Sequence, residues 1–330
     1  MIYNLIFKFN CFLKINFINL LIGCIICFGL TTGCKPKKPE IIRNSILETT
    51  VQTQKLSIEP VKVGILNIDS AVFVHERYIQ LLDYLSEKTG RPFKLVILSQ
   101  ESQFTEVAAE NLDFILSNPV AAVQIHRLYQ TKFLTTQFRP KTGSKFSGLI
   151  VVKNDSNIKT LADLRGKKVA CVNFQAEAGG CIFQIDHLLK SDIDPFKDFG
   201  NFVENPSQDN IVLGIINGKY DAGFIQTGQL EKMLSKGLIN SINELRVLNP
   251  AEDNFYHLHT TALYPEWQFA ALKNTDPELV ITVTEIMLNM PPNHPALVAA
   301  GLEKFIPATD YSEIDRLIES LKLKSWNSHP

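Results

Sequence analysis

The chain has 330 residues, and its 33 Lys and Arg stand against 34 Asp and Glu, a formal net charge of −1. Only two of the basic residues fall in the first 33 positions, so the remainder is close to neutral and has no basic stripe to track a nucleic-acid backbone. Past its N-terminal segments about 270 residues remain, enough for one large α/β domain or two lobes of ordinary size.

Residues 1–33 contain Lys8 and Lys14 and no acidic residue, then an apolar run over 18–30, then Thr31, Thr32, Gly33 and Cys34. A positive start, an apolar middle and small residues at the end describe an export signal. Gly33-Cys34 resembles the lipobox of bacterial lipoproteins, in which the cysteine becomes the lipidated N-terminus. Leu30 stands four residues before the cysteine, where that pattern has it at three. An ordinary secretory signal and an uncleaved anchor are the alternatives. Residues 35–58, rich in Lys, Pro, Thr and Gln and without periodicity, read as a tether between membrane and domain.

From there strands and helices alternate. Residues 60–66 (PVKVGIL) predict a strand, and 70–88 a helix with Tyr78, Leu81, Leu82 and Leu85 on one face. Gly90 ends that helix before the strand 93–98. A helix over 104–111 and a strand over 113–116 follow, and Ser117-Asn118-Pro119 opens another helix, with Pro where a first turn accepts it. Strands apolar enough to be covered on both faces imply a parallel sheet between helices. Two more strands are expected at 133–138 and 146–152.

The stretch 161–180, LADLRGKKVACVNFQAEAGG, predicts a capped turn, a strand, a loop and a helix opening. Thr160 is the expected N-cap, with the Asp163 carboxylate reaching back to the orphan amides, and Gly166 stops the turn. The loop 173–180 at a helix N-terminus is a usual place for a small anion. A helix over 180–190, a polar loop over 205–210, a helix over 210–217 ending at Gly218 and a strand over 221–225 leading into Gln226-Thr227-Gly228 repeat the alternation. Strands at 245–249 and 267–272 and helices at 277–290, 295–303 and 311–321 complete the reading. Two α/β units joined mid-chain suggest two lobes with a cleft between them.

Catalytic signatures are missing. There is no Gly-x-Ser-x-Gly, Walker loop, dinucleotide fingerprint or His-Glu-x-x-His, which leans toward binding and away from an enzyme, with no cofactor. Outside the leader and Cys34, only Cys171 and Cys181 remain. In an oxidising compartment they can pair, and otherwise they are two buried thiols. His257 and His259, if on a strand, would share a face, so a metal pair is conceivable, but no third ligand is evident and a hydrogen-bonding cleft histidine is the alternative. His75, followed by Glu76 and Arg77, reads as a solvated helix position.

Taken in order, VKVGIL, YLSEKTGRPFKLV, DFILSNPVAA, FSGLIVVKNDSNIKTLADLRGKKVACV, the long segment FKDFGNFVENPSQDNIVLGIINGKYDAGFIQTGQLE and HTTALYPEWQFAAL resemble the periplasmic binding proteins of phosphate/phosphite/phosphonate ABC transporters. The branch they resemble most is the sensor domains of tetrathionate-type histidine kinases. The resemblance spans residues 61–272 and implies a type II periplasmic-binding fold. Lobe 1 would comprise 59–145 plus 263–330 and lobe 2 146–262, with the solute enclosed by hinge closure. Carried over by position, the ligand-facing residues are Ser117 and Asn118; Gln175, Ala178, Gly179 and Gly180; Gln208; and Gln226 and Thr227, with His259 the cleft histidine. Two departures weaken the phosphonate assignment. Ala176-Glu177-Ala178-Gly179 stands where the family has hydroxyls, and Gln208 stands where it has a histidine. A carboxylate beside a bound dianion is costly, so Glu177 disfavours a phosphonate unless it faces solvent. A monoanion, a sulfur oxyanion or an amine-bearing solute stays open. The partner implied is an ABC permease or a membrane histidine kinase, reached from the cell envelope through the lipid anchor.

Overall fold

The computed structural model describes residues 59–68 and 70–322; the leader, Cys34 and the tether read over 1–58 lie outside them. In chain order come β1 (Val61–Leu66), α1 (Ala71–Thr89), β2 (Phe93–Leu98), α2 (Ser102–Ala108), β3 (Phe114–Ser117), α3 (Pro119–Tyr129) and β4 (Lys132–Phe138). A two-residue β5 (Lys145–Phe146) precedes β6 (Gly148–Lys153), β7 (Lys168–Cys171), α4 (Phe183–Leu189), α5 (Pro195–Asp198) and β8 (Asn201–Glu204). Then follow α6 (Gln208–Ile216), β9 (Ala222–Gln226), α7 (Gln229–Ser235) and β10 (Leu245–Val247). The chain returns through β11 (Tyr264–Pro265) to β12 (Gln268–Ala271), α8 (Pro277–Leu288), α9 (Pro295–Ala300), β13 (Lys304–Pro307) and α10 (Ser312–Ser320).

These strands form a six-stranded sheet, β13-β4-β12-β3-β1-β2, a five-stranded sheet, β10-β6-β9-β7-β8, and a ribbon of β5 with β11. Strands β1, β2 and β3 pair in parallel, as expected for strands buried on both faces; Val61, Val63 and Ile65 are fully buried. The sheet as a whole is mixed, because β12 arrives from the other sheet and inserts antiparallel between β3 and β4. In the second sheet β7 pairs in parallel with β8 and β9, while β6 runs antiparallel to both of its neighbours, β9 and β10. The chain therefore crosses between the sheets twice, at β5 and β11, which pair with each other.

Helix α1 shows why local sequence and structure agree. The Ser70 hydroxyl accepts the Phe73 amide at 3.2 Å, and Gly90 ends the helix at φ +68°, a backbone that favours glycine. Between the caps, Val74, Tyr78, Leu81, Leu82 and Leu85 bury one stripe, and His75 is exposed. Among the described residues no helix is long and apolar enough to cross a membrane.

The turn at Leu161–Leu164 is a single 3₁₀ turn, held as its sequence implies. The Asp163 carboxylate accepts the amides of Lys159 (2.9 Å) and Thr160 (2.8 Å) and the Thr160 hydroxyl (3.0 Å). Those bonds, the backbone ones first, hold its pKa below the ordinary carboxylate value. A depressed carboxylate adds stability above its unfolded pKa and loses it as pH falls through the folded one. The stability gap between the wild type and Asp163→Asn should therefore narrow as urea unfolding is carried from neutral pH to below about pH 3. A gap that persists unchanged at acid pH would show that the carboxylate's charge is not what holds the turn.

Several elements differ from expectation. The helix expected over 180–190 opens as a π turn, Ala178–Ile182, before α4 begins. Its two glycines serve close packing: a Cβ would lie 2.8 Å from the Phe146 ring at Gly179, and 2.9 Å from Val172 at Gly180. The helix expected to reach 303 stops at Ala300, because Gly301 takes φ +66°. Strands β8 and β13 and helix α7 went unread; β8 is half-exposed and lies at a sheet edge, where no apolar run announces it. Residues 257–259 are irregular, not a strand. Cys171 and Cys181 form a disulfide with their Cα atoms 5.1 Å apart.

Candidate functional site

The loop after β7 is shaped by its own polar residues. Asn173 Oδ1 accepts the amides of Gln175 (3.1 Å) and Ala176 (2.9 Å), and Glu204 accepts the amide of Phe174 at 2.6 Å. The disulfide closes the loop from behind, since one half-cystine ends β7 and the other lies in the π turn.

Side chains beside the other sheet, from the loop after β2 and from α3 and its cap, then grip this loop. Asn118 Nδ2 donates to the Ala176 carbonyl (2.9 Å), Gln124 Nε2 to the Gln175 carbonyl (2.7 Å) and Gln100 Nε2 to Glu177 Oε2 (2.5 Å). Asn118 is placed for this by capping α3, where its Oδ1 accepts the amides of Val120 and Ala121. Ser117 donates to Gln103 Oε1 at 2.6 Å, and Gln103 Nε2 donates to the Gln100 carbonyl at 3.0 Å. Glu177 is 1% exposed, so the alternative that it faces solvent is overturned. Its carboxylate is part of the clasp between the two sheets.

The other expected site residues are also accounted for. Ala178, Gly179 and Gly180 are buried in the π turn. Gln208 Oε1 accepts the Gln226 amide at 2.8 Å, and Thr227 Oγ1 accepts the Ser147 amide at 3.1 Å. His259 is 3% exposed, 3.0 Å from Asp253 Oδ2 and 2.7 Å from the Thr261 carbonyl. His257 turns to Glu231 instead, at 3.0 Å, and that hydrogen bond holds the Glu231 carboxylate below its ordinary value. The two rings do not converge, and among the described residues no three His, Cys, Asp or Glu side chains gather as a metal set.

Two of these residues, Gln226 and Thr227, line a cavity of about 190 Å³. One wall is Leu66 at the end of β1 and Ile68 after it, with Phe73, Val74, Arg77 and Tyr78 of α1. Facing it are Gly228, Gln229 and Lys232 at the start of α7, with His257. Arg139, Thr142, Phe146, Glu266 and Trp267, along the two crossings, complete it. The volume is below the ~300–1,000 Å³ usual for drug-sized ligands, which suits a small solute.

Charge in this cavity is arranged in pairs. Arg139 Nε donates to Glu266 Oε1 at 2.6 Å and Arg139 Nη2 to Gln137 Oε1 at 2.8 Å, with Glu266 only 2% exposed. Burial works against the guanidinium charge, but the Glu266 carboxylate more than offsets it and the Arg139 pKa is raised. Lys232 lies 3.9 Å from Asp209. Arg77 donates to the Ala300 carbonyl at the end of α9, and its guanidinium stands 5.3 Å and 5.5 Å from the ring centroids of Phe73 and Tyr78.

The family of the chain is decided by its match, over residues 63–312, to the profile described as ABC transporter, phosphonate, periplasmic substrate-binding protein. The chain belongs to this family. A curated relative, the tetrathionate sensor histidine kinase TtrS of Salmonella typhimurium, is 26% identical over 265 residues, 79% of this chain. The chain spans 43% of that relative's length. Among solved structures, PhnD1 from Prochlorococcus marinus (MIT 9301) in complex with methylphosphonate matches with a TM-score of 0.66 at 15% identity, over 80% of this chain and 98% of that one. A binding protein component of an ABC phosphonate transporter (PA3383) from Pseudomonas aeruginosa matches at 0.66 and 16%, over 80% and 85%. These structures share the fold, a type II periplasmic-binding fold of two α/β lobes, as the sequence motifs implied. Family and fold together point to a solute-binding role.

Proposed function

We propose that the chain is a lipid-anchored, extracytoplasmic protein that closes on a small anionic solute and delivers it to an ABC permease. The observation that carries this reading is the cavity flanked by both sheets, into which Arg77, Arg139 and Lys232 bring positive charge. In this reading lobe 1 is 59–145 plus 263–330, lobe 2 is 146–262, and β5 and β11 form the hinge. Gln226 and Thr227 touch the solute, Asn118 holds lobe 1 to the Gln175–Glu177 loop of lobe 2 beside it, and Ser117 and Gln208 brace their own lobes. Cys34 carries the lipid.

One observation favours a second partner. The curated relative is a sensor kinase, so the closed form could signal through a membrane histidine kinase in place of a permease. Genes for a permease and an ATPase beside this one favour delivery, and a histidine kinase gene favours sensing.

A thermal-shift panel of phosphonates, phosphite, sulfite, thiosulfate and tetrathionate tests the reading on residues 35–330. A bound anion should stabilise by mass action, by about 2.7 kcal/mol at a hundredfold excess over its Kd. No shift with any oxyanion removes the anionic-solute reading. Lipid anchoring is tested separately: Cys34→Ser should move the protein from the membrane to the soluble fraction.

A further inference from the structure

We propose that the solute is a singly charged oxyanion carrying an apolar, flat group, with its charge held by Arg77. This rests on the reading of the cavity as the solute site and goes on to name the chemical class.

The charges around the cavity argue for one negative charge. Arg139 is matched by Glu266 at 2.6 Å, Lys232 has Asp209 at 3.9 Å, and His257 is bonded to Glu231 at 3.0 Å. Arg77 is different. Its hydrogen-bond partner is a neutral carbonyl, that of Ala300, and no carboxylate pairs with it among the described residues. A guanidinium has five donors in a planar fork, so one carbonyl leaves room for a bidentate oxyanion. A second negative charge would have to be stripped of water with no unmatched cation to meet it. Glu266 also lines the cavity and would repel it.

The walls argue for an apolar body. Phe73, Tyr78, Phe146 and Trp267 all face the cavity. A bare inorganic oxyanion gains little from them, whereas a flat apolar group fills that space and is removed from water. The loop at the π turn, where an anion is expected from sequence, is already occupied by contacts from Gln100, Asn118 and Gln124.

The rival role for Arg77 is structural, as a cap on the last turn of α9. A ligand series of constant skeleton separates the two in the full-length chain in detergent, followed by calorimetry at mildly alkaline pH, where the phosphonate is doubly ionised and the amine still protonated. Phenylmethanesulfonate is the monoanion, benzylphosphonate the dianion, benzyl alcohol the neutral form, benzylamine the cation, and methanesulfonate the monoanion without a ring. Phenylmethanesulfonate should bind at least about tenfold more tightly than each of the others. Arg77→Met should weaken it by about tenfold or more, while Arg77→Lys, which keeps the charge, should stay within about threefold. If Arg77→Met does not fold, the wild-type series and Arg77→Lys still decide. Preference for the dianion, for methanesulfonate, or for the neutral or cationic form overturns the inference and leaves the cavity reading standing. An unchanged Kd in Arg77→Met with a lowered Tm assigns Arg77 to the cap alone and overturns it too. Binding of no member overturns both the inference and the cavity reading.

Discussion

Replacing Cys171 and Cys181 together by Ala should lower the unfolding free energy by about 3 kcal/mol, the entropy of closing a loop of roughly ten residues in the unfolded chain. At the size of this domain that corresponds to a fall in Tm of about 6–12 °C. The bond is well placed to matter beyond its loop, because the residues it encloses include Gln175, Ala176 and Glu177, each gripped from the other sheet. Loosening the loop therefore weakens the clasp between the sheets as well as the fold of one of them. Guanidinium unfolding of the oxidised wild type, the reduced wild type and the double Ala variant checks this. Reduced and double-variant proteins should unfold at similar, lower midpoints. Midpoints equal to that of the oxidised protein would show that the bond constrains nothing the fold does not already hold.

Legibility from sequence followed the physics of each feature. Strand β2 was read at its observed bounds because FKLVIL is a short apolar run between a Gly and a polar loop. The α1 stripe and the Asp163 turn were legible because their causes lie within a few residues of one another. Strands β8 and β13 were not, since NFVE and KFIP owe their pairing to neighbours distant in the chain. The site divides in the same way. Gln226 and Thr227 are expected at the end of a strand where ligands gather, and they line the cavity. Arg77, Arg139, Lys232 and Glu266 were missed because a lone charge on a helix or beside a turn looks solvated. Only the fold brings them together. Glu177 shows the limit from the other side: its sequence position made it suspect, but only the structure shows the side chain clasping Gln100.

The Arg139–Glu266 pair is the second place where a single substitution should act strongly. Arg139→Met leaves Glu266, 2% exposed, to the Trp267 amide at 3.2 Å. Breaking one side of a buried pair strands the other charge, and the expected loss is about 3 kcal/mol. Glu266→Gln should cost less, because a neutral amide tolerates burial better than a carboxylate and Arg139 keeps contact with Gln137 and the cavity. The double variant Arg139→Met/Glu266→Gln removes both charges, so it should be more stable than Arg139→Met alone, with a coupling of about 1–3 kcal/mol. Urea unfolding of the four proteins closes this cycle. Strict additivity would mean that the pair is screened by solvent through the cavity mouth. The same four proteins report on the solute. Arg139→Met exposes the cavity to an unmatched Glu266 carboxylate, so anion binding should fall. The double variant should recover it, because the repelling charge is gone and Arg77 remains. Recovery of binding together with stability would tie the pair's role to electrostatic balance within the cavity. Recovery of stability alone would instead place Arg139 in direct contact with the anion.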